Sequence, residues 1–179
     1  MFKKIIVTEN AKEMNSSLKH LSNTIDLLDN CSKKLLSIME DQIDAIIASD
    51  TQKIESLADS HTSLSRHYKK NEEDFIKHLS ELLKEASGGE NEPVRLLNLK
   101  SYFPSRSDEI DRWHTILSQY AEKLKQKHDQ VIQLLEFAMK QNAEMMHSMY
   151  RQHNKNNSRY ISNGKHSDIM TGVAVNQEI

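Results

Sequence analysis

Along residues 107–150 apolar side chains return at nearly every third or fourth position, and no Gly or Pro interrupts them. Ile110, Trp113, Leu117, Tyr120, Leu124, Val131, Leu134, Ala138, Met145 and Met149 make one stripe, while Lys, Gln and Glu fill the other faces. The spacing predicts a single helix over Ser107–Tyr150, roughly 65 Å long at 1.5 Å per residue. A helix of that length does not wrap inside a small enzyme, so its stripe must lie along other long helices or along a partner.

Two earlier stretches keep the same period. From Met14 onward Leu18, Leu21, Ile25, Leu28, Leu35, Met39, Ile43 and Ile46 follow a near-heptad spacing, which predicts a first long helix. Around 48–51 the phase is lost, and Ser49 or Asp50 can cap a new start whose first turn carries Gln52 and Glu55. Ile54, Leu57, Leu64, Tyr68, Phe75, Leu79 and Leu82 form the second stripe, with His61 and Asn71 at seam positions and Gly88 and Gly89 as the stop. Matching lengths predict an antiparallel hairpin. Residues 87–107 hold both prolines and two of the four glycines and form the main connector. Within it, 93–103 predicts a short helix starting at Pro93, a residue tolerated at the first helical position.

After Tyr150 the chain turns to Asn, Ser and basic groups with isolated apolar residues, too few to offset the entropy of ordering. The expected organisation is therefore all-α. Residues 1–150 make an elongated antiparallel long-helix hairpin plus a third long helix in a coiled-coil-like bundle, and 151–179 make a flexible tail.

Composition narrows the function. Only 4 Gly and 2 Pro in 179 residues supply too few turns for a sheet protein, and 28% charged residues sit interleaved with a formal net charge of -2. Without a block of positive charge there is no footprint for a phosphate backbone, so nucleic acid is not expected as a ligand. The "IIV" near the amino terminus is far shorter than a signal-peptide core, and no run nears the roughly 20 apolar residues that span a bilayer. A cytosolic protein is expected. Cys31, the only cysteine, has no partner for an internal disulfide and reads as a small core filler.

Candidate chemistry is sparse. Asp111 with His114, and Glu144 with His147, place a carboxylate and an imidazole on one helical face, the spacing used by dinuclear sites in helix bundles. The two pairs lie on one helix, about 50 Å apart at the standard rise, so no shared metal site is expected and the nine His read as mostly solvated. There is no Gly-rich phosphate loop, no Ser or Cys nucleophile motif and no carboxylate cluster with a cleft, so neither catalysis nor a cofactor is expected.

The methionines stand out. Met139, Met145, Met146 and Met149 crowd the end of the third stretch, and Met side chains suit surfaces that accept varied apolar partners. Met145 and Met149 equally well finish an intrachain seam, whereas Met146 falls beside it. Leu135 and Phe137 are read as broadening the apolar face here.

Three segments together resemble the FlgN-like family, the chaperones of flagellar hook–filament junction proteins in bacterial type III export. These are the hairpin junction and second stretch "IIASDTQKIESLADSHTSLSRHYKKNEEDFIKHLSELL", the third-stretch segment "LSQYAEKLKQKHDQVIQLLEFAMK", and "RYISNGK", similar to a Tyr-x-x-x-Gly element after the last helix. Lys125 and His128 stand where family members often carry asparagines. The resemblance spans roughly residues 14–165. It implies a non-catalytic cytosolic chaperone, a monomer or weak dimer, that keeps junction proteins unassembled and presents them to the export apparatus. It also implies that the end of the last helix and the tail engage a client's amphipathic helix, through Met145, Met146, Met149, Tyr150, Tyr160 and Gly164. The competing expectations are a scaffolding coiled coil acting by self-association and a metal-dependent helix bundle.

Overall fold

The computed structural model describes residues 2–89 and 93–156, with side chains over 14–89 and 93–151. Four α-helices follow in order: α1 (Phe2–Ile47), α2 (Thr51–Ser87), α3 (Leu99–Tyr102) and α4 (Ser107–Asn156). Among the described residues there is no strand. The chain forms two units, Met1–Leu135 and Glu136–Ile179, with the last part of α4 in the second.

The hairpin is present, and its reversal is built without Gly or Pro. Ser49 takes a left-handed conformation at φ 55°, the Asp50 N–H reaches back to the Ala45 carbonyl at 3.0 Å, and the Ser49 N–H to Ile46 at 3.0 Å. That is the bonding of a Schellman closure, with Ser in the place usually held by Gly. Asp50 then serves the next helix, because its carboxylate accepts from the Lys53 N–H at 3.0 Å. One residue thus finishes α1 and starts α2. At the far end Gly88 adopts φ 69° and the Gly89 N–H returns to the Lys84 carbonyl at 3.1 Å, closing α2 where the sequence predicts.

Register along the hairpin is marked by polar pairs. Thr24 meets His78 and Cys31 meets Asn71, seven residues on along one helix for seven back along the other. Buried hydroxyls are satisfied locally: Thr24 donates to the His20 carbonyl at 2.9 Å and Ser32 to that of Leu28 at 2.8 Å. The core lies at the end of the hairpin remote from the reversal. Leu18, Leu21 and Ile25 of α1, Leu79, Leu82 and Leu83 of α2, Leu96 and Leu99 of the connector, and Ile110 and Trp113 of α4 form one buried cluster. Further along, the Lys127 ammonium lies 3.7 Å from Glu40 and His128 lies beside His61, so this part of α4 faces both hairpin helices.

Two boundaries differ from expectation. α1 starts at Phe2 instead of Met14, since no Gly or Pro in residues 2–13 stops it. The short helical piece of the connector starts at Leu96, as a 3-10 turn running into α3, instead of at Pro93. Arg95 is extended (φ -133°, ψ 132°), and Asn98 donates its side-chain amide to the Pro93 carbonyl at 3.0 Å. Pro93 thereby begins a turn that delivers Leu96 and Leu99 to the core. Cys31 is half-buried against Asn71, in keeping with a packing role.

Candidate partner-binding surface

α4 starts where Phe103, held at φ -126° before Pro104, prevents α3 from continuing. Asp108 and Glu109 occupy its first turn, favourable positions beside the N-terminal dipole, and Arg106 bridges to Glu109 at 3.3 Å. The Asp111 carboxylate is engaged by Lys100, which ties α3 to α4 and takes that side chain away from the metal-like pair with His114. Among the described residues no group of three or more His, Cys, Asp or Glu is placed to hold an ion.

Burial along α4 follows the predicted stripe and then ceases. Ile110, Trp113 and Val131 are buried, and Leu117, Tyr120, Leu124, Leu134 and Ala138 are half-buried. From Met139 to Arg151 every residue is exposed, yet the helix continues unbroken past Gln141 and Asn142 to Asn156. Met139 is 70% exposed, Met145 55%, Met146 57%, Met149 61% and Tyr150 64%.

These five residues share one side of the helix. At about 100° per residue they fall within an arc of about 140°, with Asn142 near its middle. Met146, expected beside the stripe, stands within this arc together with Met145 and Met149. Phe137, 61% exposed, sits about 150° round from the middle of the arc, so it does not widen this face. Tyr160 and Gly164 lie outside the described residues. No sequence signal distinguishes the covered part of the α4 stripe from the exposed part, because both have the same period.

The family model described as FlgN protein matches residues 14–168. The chain belongs to the FlgN family. FlgN membership carries a general role as a flagellar export chaperone. Nothing among curated proteins or solved structures matches the chain. No described helix is long and apolar enough to cross a membrane.

Proposed function

We propose that the chain is a cytoplasmic chaperone of the hook–filament junction proteins, holding an amphipathic client helix against the end of α4 until type III export. The observation that carries this reading is the exposed stripe of Met139, Met145, Met146, Met149 and Tyr150. An isolated exposed apolar residue is ordinary, but five on one helical face make a surface that another helix can cover. Four of the five are methionines, whose unbranched, polarizable side chains repack around different apolar shapes. A client helix with its own apolar stripe would otherwise pair with its fellow subunits, and covering it delays assembly. Tyr160 and Gly164 add to the grip from beyond α4, and the export apparatus receives the complex.

The test is calorimetric titration of purified junction protein into the full chain and into the Met145→Ser, Met146→Ser, Met149→Ser triple variant. Affinity should fall at least about tenfold, since each methionine loses a sizeable part of the 1.5–3 kcal/mol of full burial. Equal affinities overturn the proposed mode of capture. Deleting the residues after Tyr150 should abolish binding and leave helicity largely intact. Stable oligomers in sedimentation without client would instead favour a self-associating scaffold.

A further inference from the structure

We infer that His20 and His78 form a divalent transition-metal site bridging α1 and α2, distinct from the α4 stripe. The two imidazole centroids are 6.2 Å apart at the mouth of a cleft of about 210 Å³ lined by Ser17, His20, His78 and Glu81. A hydrogen-bond relay fixes one of the rings. The Thr24 hydroxyl gives its single proton to the His20 carbonyl at 2.9 Å, so at its 3.1 Å contact with His78 Nδ1 it acts as acceptor and the ring donates. Neutral His78 then carries its proton on Nδ1 and keeps the Nε2 lone pair free. This is the arrangement found behind metal-bound histidines, in which the second ring nitrogen donates to an oxygen that sets tautomer and orientation.

The surroundings favour a cation. Glu81 lines the cleft one turn beyond His78, and Ser17, also in its wall, donates to Glu85 at 3.2 Å, which holds a second carboxylate at the rim. As the side chains stand, no three such ligands are gathered at one point among the described residues. His20 and His78 therefore supply two nitrogens, and Glu81, by a change of rotamer, or water supplies the rest. Nitrogen with carboxylate or water suits Zn²⁺ or Ni²⁺ over Mg²⁺ or Ca²⁺. An ion held there clamps the two helices beside Leu21 and Leu82 of the core.

The test uses the full chain, freed of metal with chelator, titrated with ZnCl₂ and followed by calorimetry and thermal melting. One Zn²⁺ per chain should bind in the micromolar range and raise the melting temperature, and MgCl₂ should do neither. His20→Gln, at an exposed position, should remove the saturable binding without loss of helicity, as should His78→Gln. Thr24→Val keeps the volume but removes the acceptor, and should weaken binding about tenfold or more. A His147→Gln control should bind as the parent does. Absence of saturable Zn²⁺ binding in the parent, or binding that survives the His20→Gln, His78→Gln double variant, overturns the inference.

Discussion

His61 of α2 stands edge-on to His128 of α4, ring centroids 6.3 Å apart and planes crossed at 72°. Burial, and secondly the charge that His128 acquires on protonation, hold His61 below the ordinary value of 6.5. A base with a lowered pKa in the folded chain binds fewer protons there than when unfolded. Its contribution to stability is complete above pH 6.5 and drains away as the pH falls through that value towards the folded one. The urea midpoint of the parent should therefore drop between pH 7.5 and 5.5 more steeply than that of His61→Gln. Parallel pH profiles for the two proteins would refute this reading.

Gln42 is buried at 7% exposure, and its side-chain Oε1 has no hydrogen-bond partner among the described residues. An unmet buried acceptor costs about 1–3 kcal/mol, whereas an apolar group of similar size there costs nothing comparable. Gln42→Leu should raise stability by about 1 kcal/mol in chemical denaturation. A fall of that size would mean that the amide is satisfied and sets the pairing of the helices.

Helix ends offer a cleaner comparison. Asp50→Ala removes the side-chain N-cap of α2 and should cost about 1 kcal/mol. Gly88→Ala should cost about as much, roughly 1–2 kcal/mol, although a Cβ added there meets nothing within 4 Å. The penalty arises wholly from the left-handed backbone at φ 69°. A neutral Gly88→Ala in thermal melting would show that α2 ends differently in solution.

Leu82 is fully enclosed in the core cluster, whereas Met146 is 57% exposed. Leu82→Ala should cost about 2–5 kcal/mol. Met146→Ala should stay within about 0.5 kcal/mol of the parent. If the methionine variant melts substantially lower, the stripe at the end of α4 is packed, and its availability to a client helix is lost as an argument.

Much of this was legible in the chain itself. The stripes gave three of the four helices their seams, and Asp50 and Gly88 marked their boundaries because caps act through neighbours only three to five residues away. The early start of α1 was legible too, because Val7 and Ala11 continue the three-and-four spacing of Met14, Leu18 and Leu21 with no Gly or Pro between them. The connector was misplaced because Pro93 fits a first helical turn and a loop equally well, and only the core decides where Leu96 must go. The meeting of His20 with His78, and of His61 with His128, depends on a register that no single stretch encodes. Exposure of the α4 methionines is likewise a property of what lies opposite them.

The reversal at Ser49 and Asp50 has a consequence for how the gene can change. Because it joins α1 to α2 through a fixed number of residues, it works as a ruler for the hairpin. One inserted codon would turn α2 by about 100° about its axis, separating Thr24 from His78 and Cys31 from Asn71 at a stroke. A heptad inserted in each helix, between the bend and those pairs, would preserve the pairings. Length variation in this chain is therefore tolerable in matched multiples of the repeat, and intolerable at the bend.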